Sequence, residues 1–321
     1  MNSPSKKAMN KINNNYFWFL IFVLCSFIYF ACDYGKVKSV TTIGQTTIGV
    51  DESEAQLIKK EADEFMRLNP ESKIDLKIKT TRELTADLLN GDIKTIITNG
   101  GFNQEETDHI AKYKVEMRKN KLALDGIGVI VNPGNPVKKL NYNELKRIFT
   151  GETTEWKDLD GDNKDIYKGK IKVFIARPNA SIHDIFKLKA LGNREYSKND
   201  MVCSTSTQML NEIQNNDRAI GFITMSWITH FADTLDTLVK PLRIAPVDSA
   251  GHIGDYVGLH QAYIAERTYP LVVENYIYSR DYDLNVTSGF VSFLLSYDGQ
   301  KIILNSGLVP VTQPVRIIQL N

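Results

Sequence analysis

Three runs decide the fold: residues 122–137 (LALDGIGVIVNPGNPV), 145–162 (LKRIFTGETTEWKDLDGD) and 171–186 (IKVFIARPNASIHDIF). The first is apolar and β-branched as far as Val131, then stops at Asn132, Pro133, Gly134, Asn135 and Pro136. That pattern predicts a buried strand ending in a rigid turn. From 140 to 149, Leu140, Leu145, Ile148 and Phe149 suit one face of a helix, and Gly151 stands just past its end, where a C-terminal cap is usual. Residues 171–176 predict a second buried strand. It empties into Arg177, Pro178, Asn179, Ala180 and Ser181 before the periodic run Ile182, Ile185, Phe186 and Leu188. Such a junction leaves helix N–H groups unpaired at the positive end of the dipole, which suits an anion.

Working outward, strands at 40–50, 72–78 and 94–98 alternate with helices at 54–68 and 82–89. The βαβαβ order predicts a mainly parallel sheet. Asp51 with Glu54 three residues on reads as a variant capping box opening the helix of Ile58, Ala62, Phe65 and Met66. A second such unit runs from 125 to 258. The stretch from Gln261 onward, with one helix over 287–305, has no complete unit left to build and is expected to return to the first. Two lobes follow, 33–122 with 259–321 and 123–258, holding a ligand at the strand ends and closing by hinge motion.

Charge excludes one class of partner. The 321 residues carry 39 Lys and Arg against 38 Asp and Glu, with no basic excess for nucleic acid. Lys6, Lys7 and Lys11 precede an apolar run over 16–31, after which Cys32 and Asp33 begin polar sequence. The run is shorter than the roughly 20 residues a spanning helix needs. It predicts a lipoprotein-type signal peptide over 1–31, with lipid on Cys32 and the protein held on the periplasmic side of a bacterial membrane. Tyr29 and Phe30 depart from the small aliphatic pair usual there, so an uncleaved anchor is the alternative, and Met9 could equally be the start. With Cys25 removed and Cys32 lipidated, only Cys203 remains; no internal disulfide is expected, and stability rests on the core.

These motifs together resemble the periplasmic phosphate-binding proteins that serve ABC importers. The resemblance rests on 125–133 (DGIGVIVNP), 145–156 (LKRIFTGETTEW), Arg177 with Ser181, 219–222 (AIGF), 269–271 (YPL) and 290–310. It implies an α/β, two-lobed type II periplasmic binding protein fold: two mainly parallel or mixed sheets flanked by helices, with the ligand cleft between lobes. It also implies a lipid-anchored solute-binding protein that captures phosphate or a related oxyanion for an ABC permease, as a monomer and without a cofactor. Carried onto this chain, the family's first loop falls on Asp51, Glu52 and Ser53, its second on Thr80, and the end of the next strand on Thr98 and Asn99. The second lobe contributes Arg177, Asn179, Ser181 and His183.

The departures carry as much information. Ser181, Ile182 and His183 replace the family's Ser-Gly-Thr, and Ile cannot let backbone approach a ligand as Gly does. Three carboxylates, Asp51, Glu52 and Glu54, stand where the family has small hydroxyl residues, and a cluster of acids repels a dianion. Thr98 and Asn99 end a strand where the family has an acid. The alternative reading is therefore a binding-protein fold that has lost phosphate binding and acts as a sensor, scaffold or surface lipoprotein. An enzyme has no support from a G-x-S-x-G elbow, metal-ligand spacing or an activated cysteine. Asp158, Asp160 and Asp162 imitate the start of a calcium loop without its glycine or closing glutamate, and read as a solvated turn. His183 is expected in the cleft, where a bound dianion would favour its protonation. Trp156 reads as a packing residue and Cys203 as a small buried one.

Overall fold

The computed structural model describes residues 39–230 and 238–312; the signal peptide expected over 1–31 and the lipid expected on Cys32 fall outside the described residues. Strand β1 (Gly44–Asp51) grows progressively more buried and runs into a 3₁₀ turn (Glu52–Glu54) and helix α1 (Ala55–Leu68). Helix α1 buries Leu57, Ile58, Glu61, Ala62 and Phe65, a stripe at helical spacing. Then follow β2 (Ser72–Lys79), α2 (Thr81–Asn90), β3 (Thr95–Asn99) and α3 (Gln104–Tyr113). Strands β2 and β3 flank β1 in parallel, as the alternation requires. Capping boxes at Thr80 with Glu83 and at Asn103 with Glu106 start α2 and α3.

Strand β4 (Arg118–Val131) is the spine of the molecule, and its last ten residues are all buried. Its first half pairs antiparallel with β11 (Val272–Ser279), from Ser279 opposite Arg118 to Val272 opposite Gly126. Its second half pairs with β8 (Ala219–Thr224), from Ile127 opposite Thr224 to Val131 opposite Ile220. The two sheets are therefore joined in one hydrogen-bonded network of ten strands, and the changeover falls between Gly126 and Ile127. A Cβ on Gly126 would lie 2.7 Å from Leu259 Cδ1 and 2.9 Å from Ile264 Cδ1, so a side chain there would have to push the ends of both aside.

The second lobe holds β5 (Lys139–Asn141), α4 (Tyr142–Phe149), β6 (Lys172–Ala176), α5 (Ser181–Leu191), β7 (Met201–Cys203), α6 (Ser206–Asn215), β8 and α7 (Met225–His230). Strand β6 lies parallel between β7 and β8. Short strands β9 (Lys240–Pro241) and β10 (Arg243–Ala245) pair with β4 and β5. Next come α8 (Gln261–Ala265), β11, α9 (Val286–Leu294), α10 (Tyr297–Asn305) and β12 (Val309–Pro310). Strand β11 also pairs with β3, so this stretch rejoins the first sheet, and Phe290 of α9 meets Phe65 of α1 with ring centroids 5.5 Å apart.

Three local expectations are corrected. The helix expected from 140 begins at Tyr142, because Lys139–Asn141 pairs with β10 and Asn141 caps the helix with Glu144. The single helix expected over 287–305 is two, because the Ser296 side chain accepts Gly299 N–H and starts a new helix. Asp51 and Glu54 form no capping box: Asp51 accepts Ser53 N–H, while Glu54 turns into the interior toward Asn275.

Candidate functional site

A small cavity opens at the carboxyl ends of β1, β2, β6 and β7. Asp51, Glu52, Ser53 and Thr80 form one wall, and Arg177 with Cys203, Ser204, Thr205 and Ser206 forms the other. It leaves about 20 Å³ for the centre of a water-sized sphere.

The donors around it converge on carboxylates of the chain itself. Asp51 Oδ1 accepts the Ser53 N–H at 3.0 Å and the Ser53 hydroxyl; Oδ2 accepts the Thr81 hydroxyl and, at 3.5 Å, the Ser181 hydroxyl. Glu52 crosses to the other lobe. Its Oε1 accepts the backbone N–H of Ser206 at 2.8 Å and its Oε2 the Ser206 hydroxyl at 2.9 Å. Thr81, Ser181 and Ser206 are the first residues of α2, α5 and α6; the first two helix starts converge on Asp51 Oδ2 and the third holds Glu52. At α5 no side chain caps the helix, as its polar junction predicts. Burial pushes the Glu52 carboxyl above the usual range; its bonds to Ser206 oppose that rise, neighbouring Asp51 adds to it, and Arg177 counters.

Beneath the cavity lies a buried polar layer. Asn99 Nδ2 donates to Ser53 Oγ at 2.7 Å, and Asn275, directly opposite Asn99 across the sheet, donates to Glu54 Oε2 at 2.7 Å. Asp125 accepts the N–H groups of Gly126 at 2.6 Å and Met225 at 3.1 Å. Glu54 and Asp125 are both fully buried, and burial holds both carboxyls above their ordinary range. They stand where β4 passes from one sheet to the other.

Of the ten residues expected from sequence, Asp51, Glu52, Ser53, Thr80 and Arg177 line the cavity, and Ser181 is tied to Asp51 behind it. Arg177 keeps its guanidinium about a third exposed, with Nη2 3.7 Å from Glu83 Oε2. Thr98 and Asn99 are buried in and below the first sheet. Asn179 adopts φ +73° and offers its carbonyl to the Arg82 N–H at 3.2 Å. His183 does not join the wall. Two residues past Ser181 it stands about 200° further round the helix, where Nδ1 meets Asp184 at 3.1 Å and the ring packs on Tyr196. Trp156 is buried and donates to the Arg218 carbonyl at 3.1 Å, away from the cavity wall. Thr81, Thr205 and Ser206 join the site although the sequence reading missed them. The run Cys203, Ser204, Thr205, Ser206 before Met209, Leu210 and Ile213 has the same strand, polar turn and helix grammar as 176–186, and that signal could have found them.

A cleft at strand ends between two α/β lobes, walled by helix starts, defines a bilobal solute-binding protein of the type II periplasmic kind. The chain belongs to the PBP superfamily, whose domain profile matches residues 37–298. Among curated relatives, the phosphate-binding protein PstS of Bacillus subtilis (strain 168) is 27% identical over 272 residues, covering 84% of this chain and 81% of its own length. A Clostridium perfringens structure with bound phosphate, assigned as a phosphate ABC transporter substrate-binding protein, superposes with TM-score 0.70 at 21% identity; the match covers 84% of this chain and all of that one. An ABC-type phosphate transport receptor from Vibrio cholerae gives TM-score 0.63 at 21% identity with the same coverage.

Proposed function

We propose that this chain is the lipid-anchored, extracytoplasmic solute-binding subunit of an ABC importer, and that its cleft takes phosphate or a related tetrahedral oxyanion. One observation carries the reading: the starts of α2, α5 and α6 already direct hydroxyl and N–H groups onto the carboxylates of two successive residues, Asp51 and Glu52, which line one cavity with Arg177. Donors so arranged hold oxyanions, with Arg177 placed to add a charge-assisted bond. The phosphate-binding relatives support the choice of ligand class and of a transport role over catalysis. Binding is expected to combine Ser181, Ser206 and Arg177, with the permease engaged by the closed form.

Calorimetric titration of the full-length protein in detergent with phosphate and with sulfate tests this. One saturable site is expected for at least one of them; no saturable heat from either, in the wild type and with Glu52 replaced by Thr alike, sinks it. Lipid labelling tests the anchor: Cys32→Ala should abolish it, and persistent labelling would move the anchor elsewhere.

The second reading, a binding-protein fold that no longer captures phosphate and serves as a sensor or scaffold, is favoured by one feature. The donors at the start of α6 that an anion would take are already filled by the Glu52 carboxylate.

A further inference from the structure

We propose that Glu52 is an internal ligand of the cleft: its carboxylate occupies the start of α6, and an oxyanion enters only when that side chain leaves. The inference rests on the reading of the cleft as an oxyanion site and names what competes for it.

The contact has the form of ligand binding. Both carboxylate oxygens are engaged, one by the Ser206 N–H and one by the Ser206 hydroxyl, and the two partners belong to opposite lobes. The donor they take is one the helix cannot use. Thr205 caps α6 by accepting the Gln208 N–H, whereas the first-turn N–H of Ser206 has no partner within its own helix. The backbone that carries Glu52 is fixed independently. The Glu52 carbonyl accepts Trp227 Nε1 at 3.3 Å, and the Ser53 carbonyl accepts the hydroxyls of Thr224 and Ser226 at 3.1 Å each. Any residue at position 52 would keep those bonds. The removable part is the side chain.

Space and charge point the same way. The donors at the start of α6 are already taken by the Glu52 carboxylate, and that carboxylate with its methylenes, on departing, would vacate a volume comparable to that of an ion of five heavy atoms. A dianion beside both Asp51 and Glu52 meets two like charges in a partly desolvated cleft, with Arg177 as the counter-charge in the wall. Removing Glu52 from the start of α6 relieves one of them and frees the Ser206 donors at the same time. Burial raises the Glu52 carboxyl, so the contact is held at a cost and is open to displacement.

The test is calorimetry on the full-length wild type, Glu52→Thr and Glu52→Gln in detergent, each titrated with inorganic phosphate and with sulfate. Threonine removes both charge and bulk; glutamine removes only the charge and guards against a folding defect in the first variant. Glu52→Thr is expected to bind phosphate about tenfold or more tighter than wild type, the scale of one hydrogen bond to a charged group. Glu52→Gln is expected to fall between them. Affinity equal to or weaker than wild type in both variants overturns the internal ligand and leaves the oxyanion reading standing. No saturable heat from any of the three overturns that reading and this proposal with it.

Discussion

At the scale of single residues, Arg177 and Glu61 carry opposite expectations. Arg177 sets its guanidinium in the cavity wall and pairs only loosely with Glu83, at 3.7 Å between an arginine about a third exposed and a glutamate about half exposed. A surface pair of this kind contributes about 0–1 kcal/mol to stability, so Arg177→Ala should leave the melting temperature nearly unchanged. Its oxyanion affinity should fall by about 1.5–3 kcal/mol, the range for a hydrogen bond to a charged group. Calorimetry beside thermal denaturation checks this; a lower melting temperature with intact affinity would make Arg177 structural. Glu61 is fully buried on the core face of α1, and neither carboxylate oxygen has a hydrogen-bond partner. Burial, with Glu64 adding to it, pushes its pKa from 4.5 up to about 9. Because the folded value is the raised one, its contribution to stability is present in full below about pH 4.5 and is lost as pH climbs toward 9. Glu61→Gln has no proton to lose. Its stability relative to wild type should therefore rise by more than about 2 kcal/mol between pH 5 and 8.5, since each pH unit separating the folded carboxyl from the unfolded one is worth about 1.4 kcal/mol. The same difference in melting at both pH values would contradict it.

At the scale of elements, what was legible in sequence was what periodicity controls. Strand β4, the β1 to β3 alternation and the α5 junction follow from apolar runs and polar stops, and the structure has them within a few residues. What was not legible depends on partners distant in sequence. Lys139–Asn141 became a strand because β10 arrives beside it, and Glu54 left its capping role because Asn275 waits across the sheet. His183 has the right residue type for an anion site but the wrong phase on its helix, and phase relative to a cleft is a tertiary property. The break between α9 and α10 was written in the sequence as Ser296 with Gly299, beneath an apolar period that runs on past it. A Cβ at Gly299 would stand 2.3 Å from the Phe293 carbonyl oxygen and 2.9 Å from Leu294 Cα, both backbone atoms that cannot move aside cheaply. Gly299→Ala should therefore destabilise by about 1–3 kcal/mol or more, the cost of overpacking a rigid site. A denaturant midpoint within error of wild type would show that the elbow opens freely.

At the scale of the whole molecule, the lobes share β4 as a common strand and meet through direct bonds from the turn at Glu52–Glu54 to the second lobe. The sheet pairing changes at Gly126 and Ile127, next to the buried carboxyl of Asp125, which is electrostatically linked to that of Glu54. On the proposed reading, a solute enters the cleft by taking the Ser206 donors from Glu52. The most direct measurement follows the amide resonances of Ser206 and Ser181 by nuclear magnetic resonance as phosphate is added to the isotopically labelled protein. Both should shift along one saturable isotherm, as the Ser206 N–H exchanges the Glu52 carboxylate for phosphate. Phosphate that shifts other amides while these two stay fixed, or that shifts none, would contradict it.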